Sequence, residues 1–390
     1  MHFSQALPDA TEGRSSPLSG LYVHIPFCAT KCNYCDFSTA VFDEAVVRRY
    51  LSALIREIHC VEVPSLLRSV DSIYIGGGTP SIVSEHFIGE ILEELARKFT
   101  VAAEAEISLE MNPSPREAQR IGFYRSAGIN RLSIGVQSFN DAELTAMTRA
   151  HTADDARAAV DRARRDGVRN ISIDLILGLP GQTRLSVRPS VDAAVSLPVD
   201  HLSLYILELH SGTPLHGSIR AGKAALPSDD FVGRQYLDLV AALESHGLQQ
   251  YEISNFARPG FQSRHNWKYW RRVPYLGFGV SSHSFDGVRR WNNIRSLRGY
   301  LERIESGTSP RENEAEVSAV ESLQEQIFLG MRTCRGVHAL LLDALVDKQD
   351  RLRRRWPWFL EQGWVKRADD RYFLTPPGFL VSNEILSEFM

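Results

Sequence analysis

Cys28, Cys32 and Cys35 stand at CxxxCxxC spacing just after the apolar run YVHIPF. Three thiolates this close in sequence can wrap one soft-metal centre. A zinc site usually draws on paired CxxC units or takes a fourth Cys or His from a separate place, and here only Cys60 and Cys334 are left over. A [4Fe–4S] cluster held by three cysteines leaves its fourth iron without a protein ligand, open to a substrate or cofactor. A zinc-stapled loop is the alternative that spacing alone leaves standing.

Further polar and glycine residues gather at similar places. GGGTP, Gly76 to Pro80, offers three residues without Cβ, so backbone groups there can approach a ligand closely. It is no phosphate loop, because the Lys–Ser/Thr that would follow is missing. Glu110 in LEMNP, Gln137 in GVQSF, Arg149, and Asp174 in IDLILGLPGQT each read singly as a cap or loop residue. Together they suit a zwitterionic, ribose-bearing ligand, since carboxylates accept hydroxyl and ammonium hydrogen bonds and Arg forks a carboxylate.

The elements that must position these residues alternate along the chain. Periodicity predicts strands over 21–27, 72–75, 105–110, 131–136, 170–177 and 201–209, separated by helices over 43–61, 84–99, 115–127, 153–166, 182–196 and 228–246. Six strand–helix units make an α/β chain and suit a partial (β/α)6 barrel, whose working residues sit at the C-terminal strand ends. The cysteines, GGGTP, Glu110 and Gln137 all fall there. Past about Tyr251 the alternation fades into an aromatic-rich stretch, and then into helices, a short hairpin over 363–374 and a last helix, the order of a mostly helical winged-helix-like unit. The expected division is a mobile tail over 1–19, a core barrel over 20–255 and a C-terminal region over 256–390.

Composition narrows the function classes. The 390 residues are 43% hydrophobic and 23% charged, with a formal net charge of −3, which excludes a disordered chain and argues against bulk-charge binding of nucleic acid. The basic run Arg351 to Arg355 reads as a solvated helix face. No segment reaches the roughly 18 apolar residues of a membrane span, so none is expected. Without a signal peptide, and with clustered thiols, the expected compartment is the cytoplasm.

YVHIPFCATKCNYCDF resembles the cluster loop of radical S-adenosylmethionine (SAM) proteins of the anaerobic coproporphyrinogen III oxidase family, and the likeness runs from about Leu21 to Leu386. The resemblance implies a [4Fe–4S] cluster on Cys28, Cys32 and Cys35. It also implies that SAM binds the open iron and that an electron from the cluster can cleave it to methionine and a 5′-deoxyadenosyl radical. It places Tyr22, Tyr34, Gly77, Gly78, Thr79, Glu110, Gln137, Arg149 and Asp174 at SAM-contacting positions, and His24 near the cofactor.

The family holds two functions: oxidative decarboxylation of coproporphyrinogen III, and haem carriage by a chaperone branch. The oxidase pattern continues CxxxCxxCxC, where this chain has Phe37, and the oxidases carry a longer segment ahead of the cluster than the 27 residues that precede Cys28. HNWKYW, His265 to Trp270, matches the HNxxYW motif of the haem-carrying branch. A neutral imidazole ligates haem iron well, Trp267, Tyr269 and Trp270 offer flat apolar surface, and Arg264, Lys268, Arg271 and Arg272 can pair with propionates. The resemblance therefore implies a haem chaperone with haem as cargo and His265 as candidate ligand, delivering to acceptor proteins such as respiratory enzymes. A porphyrinogen oxidase is the alternative. A homodimer and peripheral membrane contact stay compatible with this reading. Ser263 replaces a cysteine that relatives often carry, and His210 stands where an acidic residue is expected. His283, in the loop GFGVSSHSF, reads as structural.

Overall fold

The computed structural model describes residues 18–389. Residues 1–17 of the expected tail lie outside the described residues, whereas Ser19 already opens the first strand and is buried.

Six parallel strands form the centre: β1 (Ser19–Ile25), β2 (Ser69–Gly77), β3 (Thr100–Met111), β4 (Arg131–Gln137), β5 (Asn170–Leu177) and β6 (His201–Ile206), adjacent in that order. Strand residues alternate between two faces, and that alternation separates two environments here. Leu21, Val23, Ile25, Ile73, Ile75, Leu109, Leu132, Ile134, Ile171 and Ile173 pack in one core with residues of the helices. These include α1 (Glu44–Cys60), α2 (Glu85–Lys98), α3 (Ala153–Arg165), α4 (Arg184–Ser196) and α5 (Asp229–Ser245). The opposite positions carry Tyr22, Tyr74, Glu110, Ser133 and Asp174, in register across the sheet as Tyr22 opposite Tyr74, Glu110 opposite Ser133 and Asp174 opposite Ser203. The barrel thus has an apolar coat and a polar lining.

Sequence and structure differ in several places. β1 stops at Ile25, because Phe27–Cys28 leaves it to pair in parallel with Ala40–Val41. β3 is far longer than expected and β6 ends at Ile206. The helix expected over 115–127 is two short pieces, Pro115–Ala118 and Ile121–Ser126.

The largest difference lies beyond residue 255. A short helix, α6 (Arg264–Trp270), leads into β7 (Tyr275–Phe278), which pairs in parallel with the free edge of β1 as a seventh parallel strand. The antiparallel strands β8 (His283–Phe285), β9 (Arg289–Asn293) and β10 (Arg311–Glu316) extend that edge, giving a sheet of twelve strands. The expected boundary at 255 therefore falls inside one continuous sheet. A second hydrophobic core is built from Ile327, Met331, Leu342, Leu352, Trp356, Phe359, Ile385 and Leu386 around a three-stranded antiparallel sheet, with Ile253 and Leu323 packed against it. The expected hairpin is there, as Val365–Ala368 with Arg371–Leu374. In the run Arg351 to Arg355, Arg351, Arg353 and Arg354 are exposed, as expected, and Arg351 and Arg355 also pair with the Glu388 carboxylate at 2.6 and 2.8 Å.

Candidate functional site

The loop after β1 is closed at its base by backbone bonds from Ala40 to Pro26 (2.7 Å) and from Phe42 to Cys28 (2.9 Å). Its tip is pinned from outside: Asn33 donates from its backbone to Thr148 Oγ1 (3.0 Å) and from its side chain to the Ala146 carbonyl (2.8 Å). Tyr34 packs against the small apolar cluster of Met147, Ile176, Leu179 and Leu215. These anchors fix a loop that carries three half-buried free thiols, Cys28, Cys32 and Cys35. Burial pushes the Cys28 and Cys35 thiols above their ordinary range, and the neighbouring cysteines add to the shift. Among the described residues no group of three or more Cys, His, Asp or Glu is gathered as a single metal ion needs. Three thiols on one loop are the soft donor set that an iron–sulfur cluster takes.

The glycines after β2 are needed by this loop itself. A Cβ on Gly78 would lie 2.7 Å from the Phe27 carbonyl oxygen and 3.0 Å from Cys28 Sγ, and one on Gly77, at φ +123°, would strike the His24 ring at 2.8 Å. Thr79 donates to Cys28 Sγ at 3.6 Å. Asn112 Nδ2 donates to Thr79 Oγ1 (3.1 Å), and its Oδ1 accepts from Arg149 Nη2 (2.6 Å). Arg149 Nη2 also binds the Gly135 carbonyl (2.7 Å), while Nη1 reaches Cys32 Sγ at 3.5 Å. Two of the three sulfurs are therefore tied into one chain, Cys28–Thr79–Asn112–Arg149–Cys32. Arg149 Nε and Asn33 Oδ1 are buried and have no partner among the described residues, so a polar ligand beside the thiols has groups waiting for it. By donor chemistry and by these orphaned atoms, the residues present fit a cluster with a polar ligand beside it.

Deeper inside, Glu110 accepts from Tyr74 (2.7 Å) and from the Gly77 backbone N–H (3.0 Å), and Asp174 accepts from Ser133 (3.2 Å). Burial pushes Glu110 up to about 7 and Asp174 up to about 6, each against the pull of its hydrogen bonds. Two carboxyls desolvated in this way are set to receive a cation, which would restore their charge. Gln137, at the end of β4, holds φ 70°, and Gly135 leaves room for its amide.

A cavity of about 710 Å3 adjoins these residues, within the ~300–1,000 Å3 range of small-molecule sites. Gly77 and Glu110 line it together with Tyr22, Phe37, Tyr269, Tyr275, His283 and Arg295. His24, also there, spends its ring on Tyr22 (3.0 Å) and the Ser38 carbonyl (3.3 Å).

Tyr22, Tyr34, Gly77, Gly78, Thr79, Glu110, Gln137, Arg149 and Asp174 all lie at the loop-bearing end or on the barrel lining. His265 does not join them. It is 1% exposed, with Nδ1 on Ser72 (3.0 Å) and Nε2 on Tyr269 (2.8 Å), and Tyr269 rather than His265 lines the cavity. Burial, with Lys268 nearby, lowers its pKa to about 3. Three of the four expected propionate partners are also engaged: Lys268 on Asp71 and the Leu18 carbonyl, Arg264 on the Glu104 carbonyl, and Arg272 on Glu325. Ser263 is the N-cap of α6, accepting from Asn266 (3.2 Å), which gives a hydroxyl its own use there. His210 Nδ1 sits 3.3 Å from Asp36 of the cluster loop. Sequence reasoning missed Asn112, which reads as a turn residue before Pro113, and Tyr74, which reads as strand core.

Comparison with known proteins agrees with this geometry. The family model described as the Radical SAM superfamily matches residues 22–194. A Bacillus subtilis (strain 168) protein named Heme chaperone HemW is 34% identical over 379 residues, spanning 96% of this chain and 99% of that one. Its Escherichia coli (strain K12) namesake is 34% identical over 382 residues, spanning 96% and 98%. The solved structure of E. coli coproporphyrinogen III oxidase (HemN), a radical SAM enzyme, superposes with a TM-score of 0.81 at 26% identity, covering 96% of this chain and 90% of that one.

Proposed function

The chain belongs to the HemW-type branch of the HemN-like radical SAM family, and from that premise we propose that it is a haem chaperone, binding haem and passing it to acceptor proteins. In this reading Cys28, Cys32 and Cys35 hold a [4Fe–4S] cluster, and SAM lies beside it. Bound together, the two groups supply a one-electron reductant next to a sulfonium cation. The chain's own residues do the rest. Arg149 and Thr79 donate to the Cys32 and Cys28 sulfurs and so offset thiolate charge. Glu110 and Asp174 take the ammonium and hydroxyl groups of SAM, and the glycines of GGGTP keep its approach clear. Tyr22 and Tyr34 wall the site, and Gln137 supplies an amide at the β4 end.

The observation that carries the chaperone reading over the oxidase is Phe37. The oxidase pattern has a fourth cysteine there; this chain has a 68% exposed phenyl ring at the edge of the cavity. The acceptors belong among respiratory enzymes, the compartment is the cytoplasm, where thiols stay reduced, and a homodimer is compatible with the reading. Among the described residues no helix is long and apolar enough to cross a membrane.

The test incubates cluster-reconstituted protein with SAM, a reductant and coproporphyrinogen III, assays protoporphyrinogen, and titrates hemin into the same preparation. Hemin binding without decarboxylation is the expected result. Sustained turnover of the porphyrinogen would assign the chain to the oxidases instead.

A further inference from the structure

We infer that His283 supplies the ligand to haem iron and that Arg295 pairs with a haem propionate, both in the cavity beside the cluster loop; this rests on the haem-chaperone reading and assigns its cargo site. Haem asks three things of a site: flat apolar walls, a neutral nitrogen for the iron, and a cation for the carboxylates. The cavity is lined by the rings of Tyr22, Phe37, Tyr269 and Tyr275, with polar Ser38, Asn292 and Asn313 among them, and it is continuous with Gly77 and Glu110 of the proposed SAM site, so haem and SAM would be neighbours in it. Of the histidines near the barrel mouth, His24 is engaged by Tyr22 and Ser38, and His210 is paired with Asp36. Both ring nitrogens of the buried His265 are engaged. His283 is exposed to the cavity, and no hydrogen bond or ion pair holds its ring among the described residues. Burial, Arg295 and Arg290 all lower its pKa, which keeps the imidazole neutral and able to bind metal.

Arg295 shows the same contrast with its surroundings. Arg289, Arg290 and Arg298 each pair with a carboxylate, whereas Arg295 has no such partner among the described residues and faces the same cavity. The frame beneath His283 is rigid. Gly279, at φ +91°, packs so closely that a Cβ would stand 2.3 Å from the Tyr50 hydroxyl, and Glu57 holds both the Gly279 N–H (2.8 Å) and the Asn293 amide (2.6 Å). A ligand-bearing residue on such a turn keeps its position without cost at binding.

The experiment titrates hemin and metal-free protoporphyrin IX into the full chain with its cluster reconstituted. His283→Ala should weaken hemin about tenfold or more and shift its Soret band, leave metal-free protoporphyrin unchanged, and recover the spectrum on adding imidazole. Arg295→Ala should weaken both porphyrins alike. Retained cluster absorbance in each variant shows that the fold is intact. A Soret band and hemin affinity unchanged in His283→Ala overturn the assignment while leaving the chaperone reading in place. A wild-type protein that takes up no hemin overturns both.

Discussion

Arg149 Nη1 lies 3.5 Å from Cys32 Sγ while Nη2 of the same guanidinium holds Asn112 and the Gly135 carbonyl. One planar group therefore joins the cluster loop to the ends of β3 and β4. Lysine cannot reproduce that fork. Arg149→Lys should cost about 1–3 kcal/mol in stability and lower the iron and sulfide retained after reconstitution. Full iron content with unchanged denaturant unfolding would show that the bridge is dispensable.

Glu110 and Asp174 make stability pH-dependent. Their folded pKa values, about 7 and about 6, lie above the usual carboxylate range because of burial. The sign follows: their contribution is fully present below about pH 4 and is lost as pH rises through 6 to 7. Other groups being equal, the ligand-free protein should melt at lower temperature at pH 7.5 than at pH 5.5. Glu110→Gln should flatten that slope and gain about 1–3 kcal/mol at pH 7.5, while SAM should raise the wild-type melting temperature most where the carboxyls are charged. A slope that Glu110→Gln leaves untouched rules out this carboxyl as its source.

Gly78→Ala places a methyl group against backbone and against Cys28 Sγ. Neither neighbour is the end of a flexible side chain, so the cluster loop must shift. We expect a stability loss of about 2–4 kcal/mol and impaired cluster uptake, with Gly89→Ala, which meets nothing within 4 Å, as the neutral control. Equal cluster absorbance in the two variants would contradict the close packing.

Glu57 accepts from Gly279, Asn293 and Tyr300, the last at 2.7 Å. Glu57→Ala leaves three buried donors unsatisfied, a penalty of about 2–5 kcal/mol, and loosens the turn that carries His283. Lower melting temperature and weaker hemin binding should appear together. An unchanged melting temperature would mean that the turn is held by other contacts.

The six strand–helix units and the strand-end position of the cysteines were legible because long apolar alternations and CxxxCxxC survive without tertiary context, whereas the order of the strands in the sheet was not. β7 was not: four residues containing a glycine, set in an aromatic stretch, carry no period, and only β1 makes them a strand. Glu57 looks like any charged residue midway along a helix, and nothing local tells that it faces Tyr300. The HNWKYW motif was visible, but the burial of its histidine was not, because His265 reads identically whether it faces a ligand or is held between Ser72 and Tyr269. His283 was set aside for the opposite reason. Its significance lies in the lack of a partner, which no sequence displays.

The pairing of β1 with β7 also orders events during synthesis. Tyr22 meets Gly277 across about 250 residues of chain, so the strand that launches the cysteine loop keeps one raw edge until almost three quarters of the protein has left the ribosome. An unpaired parallel edge of this kind is slow to close and prone to foreign pairing. Iron delivered to the nascent chain would meet thiols on an unfinished sheet, which makes insertion after release the safer sequence.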